Sequence, residues 1–252
     1  MSVLKRIIQE KKCEIPKKLP KSNIDKTDKK VLHLLTKISS KIKLIAELKR
    51  ISPSKGILNS GMTVKSAIEM YEPYANALSI LTEKNYFGGS LEDLREASLI
   101  TQLPLLRKDF ITETIQVAEA RFFGADFYLL IAAALEKNQL KELMEAGKEF
   151  HMPALVEVHN EAELETALDL NVEILGINNR NLTDLTINLN TTKKLANLIP
   201  FNLRKKLILI SESGLKTPED LKLVEEDVDV VLMGTAFMES SDPESLLKRM
   251  FT

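Results

Sequence analysis

The chain has 252 residues, of which 44% are hydrophobic and 28% charged, the composition of an ordinary globular protein with room for one large α/β domain or two small ones. A formal charge of -1 and a pI near 6.4 give no electrostatic case for nucleic acid or a membrane surface. The single cysteine, Cys13, excludes an intrachain disulfide, and no apolar run reaches the roughly 18 residues of a membrane helix.

Cys13 stands among lysines without an evident partner and reads as incidental rather than catalytic. The opening Met1-Ser2-Val3-Leu4-Lys5-Arg6 carries no signal-peptide core, so a cytoplasmic location is expected. Residues 1–43 form a prelude. Val3, Leu4, Ile7 and Ile8 share one helical face. Pro16 and Pro20 interrupt that pattern. A second helix is expected over 29–42, with Val31, Leu34, Leu35 and Ile38 as its apolar stripe. A solvated arm packed on the surface and a cap over one end of a domain both fit this pattern.

From residue 44 onward, strand and helix alternate. Strands are expected over 44–48, 77–81, 105–107, 127–131, 154–158, 174–177, 207–210 and 228–233. Helices are expected over 63–71, 90–100, 112–123, 136–150, 161–170 and 191–198, with one starting at Thr217-Pro218 and one running from Pro243 to Phe251. Ser90 is a candidate N-cap before Asp93, Gly124 closes the third of these helices, and Pro218 suits a first turn. The strands are short, apolar and mostly non-alternating, as in a parallel sheet covered on both faces. Eight βα units in this length fit a (β/α)8 TIM barrel with an N-terminal helical extension over 1–43 and the barrel over 44–252. The alternative, a doubly wound open sheet, calls for a glycine-rich fingerprint after the first strand. Ile51-Ser52-Pro53-Ser54-Lys55-Gly56 is not one and reads as a polar loop.

A barrel of this kind carries its chemistry at the C-terminal strand ends. Those ends hold Glu47 and Lys49, then Thr82-Glu83-Lys84-Asn85, then Arg107-Lys108-Asp109. The fourth end, Ile131-Ala132-Ala133, is apolar. Glu157, Asn178-Asn179-Arg180, Ser211-Glu212-Ser213-Gly214 and Gly234-Thr235 follow. Glu47 and Lys49 lie two residues apart and so share a strand face. Glu47 and Glu157 sit inside apolar runs, where a buried carboxylate needs a partner. Lysines across the same mouth would supply one. Ser213-Gly214 and Gly234-Thr235 follow strands seven and eight, the usual phosphate grip of this barrel, and glycine lets the backbone approach phosphate oxygens closely. A phosphorylated small-molecule substrate is the expectation.

Seven motifs then fall in one order. They are Ile45-Ala46-Glu47-Leu48-Lys49-Arg50-Ile51-Ser52-Pro53-Ser54-Lys55-Gly56, Leu81-Thr82-Glu83-Lys84-Asn85-Tyr86-Phe87-Gly88-Gly89-Ser90, Leu106-Arg107-Lys108-Asp109-Phe110, Leu155-Val156-Glu157-Val158-His159, Gly176-Ile177-Asn178-Asn179-Arg180-Asn181-Leu182, Ser211-Glu212-Ser213-Gly214 and Met233-Gly234-Thr235. The series resembles the indole-3-glycerol phosphate synthase family over residues 44–238. The resemblance implies a carboxy-lyase of tryptophan biosynthesis, without metal or organic cofactor. It would convert 1-(2-carboxyphenylamino)-1-deoxyribulose 5-phosphate to indole-3-glycerol phosphate, CO2 and water.

By that resemblance Lys108 is the general acid at the ribulose carbonyl, an ammonium made readier to donate by desolvation or nearby cations. Glu157 is the acid/base of the dehydration. Lys49, held by Glu47, pairs with the substrate carboxylate or assists proton transfer. Glu212 binds hydroxyls and holds Lys108, and Asn178 and Arg180 orient hydroxyls and carboxylate. Ser52, Gly214, Gly234 and Thr235 hold the phosphate, with Pro53 beside Ser52 in the same motif. Phe87, Phe110, Leu129 and Leu182 form an apolar slot for the aromatic ring or are plain packing. Ser213, Leu232 and Met233 carry over from the same strand ends. A monomer with no nucleic-acid or membrane partner is expected.

Phosphoribosylanthranilate isomerase is a rival reading, but its Cys/Asp pair has no counterpart, since Cys13 precedes the barrel. A silent barrel that keeps only the phosphate grip is a second rival, and it has no use for the ionic residues at the rim. His33, His151 and His159 lack a repeated ligand spacing, so no metal site is expected; a supporting role beside Glu157 is open to His159. Lys55 and Lys84 read as solvated loop charges, and Asp109 and Glu83 as partners that fix lysines.

Overall fold

Eight parallel strands close into a barrel in the computed structural model, which describes residues 3–11, 14–16, 31–36 and 41–252. In chain order they are β1 (Lys43–Leu48), β2 (Ala77–Leu81), β3 (Leu105–Lys108), β4 (Phe127–Ile131), β5 (Ala154–Val158), β6 (Ile174–Asn178), β7 (Ile208–Glu212) and β8 (Val230–Met233). Each pairs with its sequence neighbours, and β8 returns to β1 with Ile45 beside Leu232, so no strand edge is left open. The open-sheet alternative is thereby excluded.

Alternation along each strand explains the apolar runs. Leu44, Ala46 and Leu48 of β1, with Val156 and Val158 of β5, belong to the cluster shared with the outer helices. Ile45, Leu106, Leu129, Leu155, Ile174, Ile210 and Leu232 fill the barrel interior. Both faces of a strand are therefore buried until its C-terminal end, where on β1, β3, β5, β6 and β7 the next inward residue is polar. Helix starts follow capping chemistry. Ser90 accepts from the Asp93 N–H at 3.0 Å, Thr63 from that of Ser66 at 3.1 Å, and Thr217 forms a reciprocal capping box with Asp220.

Three strands end later than the sequence expectation. β3 reaches Lys108, β6 reaches Asn178 and β7 reaches Glu212. Sequence patterning ends a strand at its last apolar residue, whereas the backbone ladder continues through polar residues that point inward. Leu81 still pairs with Lys108 and Asn178 with Glu212. The stretch expected as a loop after β1 contains a short antiparallel pair, Ile51–Ser52 with Gly56–Ile57, joined by a turn over 53–55, with Gly56 at φ +72° where the chain re-enters the pair. The third of the expected helices begins later, at Thr114, because Gln116 reaches back to the N–H groups of Thr112 and Glu113.

The described parts of the prelude lie at opposite ends of the barrel. Helix α1 (Val3–Lys11) runs over the C-terminal rim. Its Lys11 Nζ sits 3.0 Å from the buried Asp109 carboxylate, and Tyr86 donates to Glu10 at 2.9 Å. Helix α2 (Val31–Leu35) buries Val31 and Leu35 in the barrel-interior cluster, and the Leu34 carbonyl accepts from Lys43 at the start of β1. Only Val31–Leu35 is helical among the described part of the expected second helix. Cys13, Pro20 and Ile38 lie outside the described residues.

Candidate active site

Inward-facing positions at the C-terminal ends of β1, β3, β5 and β7 bring one ammonium among three carboxylates. Lys108 Nζ lies 3.3 Å from Glu212 Oε2, 3.5 Å from Glu157 Oε2 and 3.9 Å from Glu47 Oε2. Lys49 Nζ closes on the other Glu47 oxygen at 2.6 Å, as expected of two residues on one strand face. Ser79 on β2 also donates to Glu47, at 3.3 Å. Asn178 hydrogen-bonds Glu157, and its Oδ1 accepts the Arg180 N–H at 3.0 Å. Five ionic residues from four strands, spread over 166 positions of chain, thus meet in one place.

The environments separate the protonation states of these groups. Burial alone would raise the Glu157 carboxyl, but Lys108 and the His159 ring outweigh it and hold Glu157 far below the ordinary carboxylate range. Burial also raises Glu47, and Lys49 with Lys108 reverse that as well. Glu212 goes the other way. Burial and the neighbouring Glu157 charge prevail over Lys108 and push it up to about 8, so it takes up a proton far more readily than Glu157. Lys108 is pulled down by burial, yet Glu212, Glu157 and Glu47 together hold it well above the usual lysine value. The expectation of an ammonium acidified by burial or by nearby cations is therefore overturned: its neighbours are carboxylates. Two carboxyls pushed apart in this way are suited to different roles, with Glu157 as the ionised one.

A cavity of about 190 Å³ opens beside the cluster, lined by Glu47, Lys49, Lys108 and Glu212 on one side and by Ser213, Gly214, Leu232, Met233, Gly234 and Thr235 on the other. Gly214 has φ +94°, the left-handed region where L side chains are strained, and Ser213 before it has φ +66°. A smaller slot of about 90 Å³ adjoins it through Lys49, Ser54, Arg180 and Thr235, and is walled by Ser52, Pro53, Phe87, Phe110 and Leu182. The Phe87 and Phe110 rings stand 6.1 Å apart, and Lys49 Nζ lies 5.9 Å from the Phe87 ring centre.

All the sequence-derived candidates except Leu129 line these two spaces or the ionic cluster. Leu129 lies in the barrel interior, one inward position before Ile131 at the end of β4. Met233 belongs to the helix-facing cluster, so it borders the cavity from the outward side of β8. Sequence reasoning missed Ser54, Lys55 and Lys216, which line the larger space, and Leu4 and Ile7 of α1, which cover the slot. The α1 face was legible from its spacing, but its destination was not. Lys55 is paired with Glu239 rather than simply solvated.

Gly176 on β6 makes room for the cluster. A Cβ there would stand 2.1 Å from Glu212 Oε1. Gly176→Ala is expected to displace that carboxylate and to destabilise the protein by about 1–3 kcal/mol through overpacking. Thermal unfolding checks this, at about 2–4 °C per kcal/mol for a chain of this size; an unchanged melting temperature would show that the rim yields freely.

Comparison with known proteins agrees with this geometry. A family model described as indole-3-glycerol phosphate synthase matches residues 3–250. A protein of that name from Lachnospira eligens is 43% identical over 208 residues, covering 82% of this chain and 78% of its own. The Bacillus cereus protein of the same name is 41% identical over 249 residues, covering 98% of this chain and 97% of its own. Among solved structures, tryptophan synthase subunit alpha from Legionella pneumophila superimposes with a TM-score of 0.60 at 14% identity, covering 99% of this chain and 97% of that one; this likeness bears on the fold alone.

Proposed function

The chain belongs to the indole-3-glycerol phosphate synthase family, and from that premise we propose how its barrel rim turns 1-(2-carboxyphenylamino)-1-deoxyribulose 5-phosphate into indole-3-glycerol phosphate. The observation that carries the reading is a single ammonium, Lys108, within 3.9 Å of three carboxylates beside a small cavity. The phosphate is held by Ser52, Gly214, Gly234 and Thr235, with Ser213 in the same turn, and Lys55 and Lys216 supply positive charge. The anthranilate ring enters the slot formed by Pro53, Phe87, Phe110 and Leu182, and Arg180 takes its carboxylate.

Ring closure joins the aryl carbon to the ribulose carbonyl carbon, and negative charge grows on the carbonyl oxygen. Lys108, fully protonated, stabilises that charge as it appears and then gives up its proton, because the alkoxide is a stronger base than an amine. Loss of CO2 returns its bonding electrons to the ring. Glu157, held ionised, accepts the proton released as the double bond forms and returns one to the departing hydroxyl, which leaves as water. Lys49, fixed by Glu47, pairs with the substrate carboxylate or assists this transfer. Glu212 and Asn178 hold the ribulose hydroxyls.

Within this reading residues 1–43 are a helical extension, residues 44–252 the catalytic barrel, and the protein works as a cytoplasmic monomer. Among the described residues no helix is long and apolar enough to cross a membrane. The test is direct. Purified protein given the carboxyphenylamino substrate should produce indole fluorescence together with one equivalent of CO2. A flat fluorescence trace with substrate recovered unchanged would refute the assignment.

A further inference from the structure

We infer that His159 and Glu163 form, with Glu157, a carboxylate–imidazole–carboxylate relay that positions the Glu157 carboxylate for the dehydration. The inference rests on the role proposed for Glu157 and assigns both residues as positioning residues. His159 follows the last residue of β5, and Glu163 is in the first turn of helix α3 (Glu161–Asp169). The ring bridges them. His159 Nε2 lies 3.2 Å from Glu157 Oε1, and Nδ1 lies 3.0 Å from Glu163 Oε2.

That same Glu163 oxygen accepts the His159 backbone N–H at 2.8 Å. The backbone and the ring of one residue are thus pinned to one carboxylate oxygen, which fixes the ring plane. Glu163 is itself anchored, since its N–H donates to the N-cap Asn160 at 3.0 Å. Glu157 then has a cation on each oxygen, His159 on Oε1 and Lys108 on Oε2. A carboxylate with a positive charge on each side is favoured in its ionised form.

The ring's charge state agrees with this geometry. Burial would lower the imidazole, but the two carboxylates outweigh it and push it up to about 10, so both nitrogens are donors at neutral pH. Other charged groups near the ring are few. Lys5 of α1 and Arg180 after β6 line the cleft that His159 borders. Lys194, on helix α4 (Asn190–Ala196), borders the adjacent groove and is paired there with Glu161. A purely structural account, in which Glu163 only caps α3, explains its backbone contacts but gives the ring no reason to face Glu157.

The test compares His159→Asn, Glu163→Gln and the double variant in the full chain, following indole fluorescence across pH. For His159→Asn the expected kcat is lower by about tenfold or more, a fraction of what a general acid-base group supplies, with KM little changed. The acid limb of the kcat profile should move to higher pH, because Glu157 loses a cation that favours its ionised form. Glu163→Gln should move the limb the same way by less, and the double variant should be no worse than His159→Asn, as for residues acting in series. In wild type, nitrogen NMR of the His159 ring should show it protonated beyond about pH 8, in keeping with its value of about 10.

Normal kcat and an unmoved acid limb in His159→Asn, with only the melting temperature lowered, would overturn the relay. If that variant does not fold, Glu163→Gln carries the same test: an unmoved limb there, with a wild-type ring that loses its proton near the ordinary value of about 6.5, has the same consequence. The two levels separate cleanly. An inactive Glu157→Gln beside a normal His159→Asn removes the relay alone, whereas an active Glu157→Gln removes the role of Glu157 and the relay with it.

Discussion

Lys108→Met is expected to lower turnover more than about 100-fold, the low end of general acid-base effects, and to leave the barrel folded. The substitution keeps a long unbranched side chain and deletes the one charge that lies near all three carboxylates. A buried carboxylate stranded without its partner normally costs several kcal/mol, but here each has a second way to be satisfied. Glu47 retains Lys49 at 2.6 Å, and Glu157 retains His159 at 3.2 Å. Glu212, already pushed up to about 8, takes its neutral form. Circular dichroism should therefore be unchanged while steady-state kinetics collapse in kcat, because the lost contact forms with the growing oxyanion rather than with bound substrate. Near-normal turnover would remove Lys108 from the chemistry.

Glu157→Gln is expected to cut turnover by a similar factor, more than about 100-fold, with KM close to wild type. Glutamine keeps the shape and can still contact Asn178 and His159, but it cannot accept or return a proton. Because Glu157 is held ionised far below its ordinary range by Lys108 and His159, the wild-type enzyme has its base ready throughout the neutral range. The variant lacks it at every pH, so raising the pH should not restore activity. Rapid-quench kinetics separate this case from the lysine variant. Glu157→Gln should still release CO2 in the first turnover and stall before water is lost, whereas Lys108→Met should fail before CO2 appears.

Much of this was legible along the chain because the barrel writes a simple rule into its strands. Glu47 and Glu157 stand inside apolar runs, and period-two alternation turned each into an inward group at a strand's end. Ser213-Gly214 and Gly234-Thr235 were legible because they recur at matching ends of adjacent strands. What could not be read is what depends on distance through space. Nothing in the sequence says that Lys108 meets Glu212, 104 positions later, or that this carboxyl is pushed up where Glu157 is held down. The expected acidification of Lys108 failed for the same reason, since the sign of its shift is set by three residues on other strands. Leu129 was assigned to the slot by resemblance, and its depth in the barrel depends on the stagger of β4 against its neighbours. The apolar face of α1 was visible, but which end of the barrel Leu4 and Ile7 would cover was not. The helices Phe201–Arg204 and Thr235–Glu239 were missed because four or five residues carry too little periodicity to register.

The central claim is that phosphate, carbonyl and ring are held around Lys108 in the small cavity and its adjoining slot. It is tested most directly by a crystal structure of Lys108→Met with the intact carboxyphenylamino substrate bound. The phosphate should lie against Ser213-Gly214 and Gly234-Thr235, the ring between Phe87, Phe110 and Leu182, and the ribulose carbonyl oxygen where the ammonium of Lys108 stood. A substrate lying instead in the larger cleft of about 830 Å³ lined by Asn160, Asn181 and Asn188, with its carbonyl turned away from residue 108, would contradict the account.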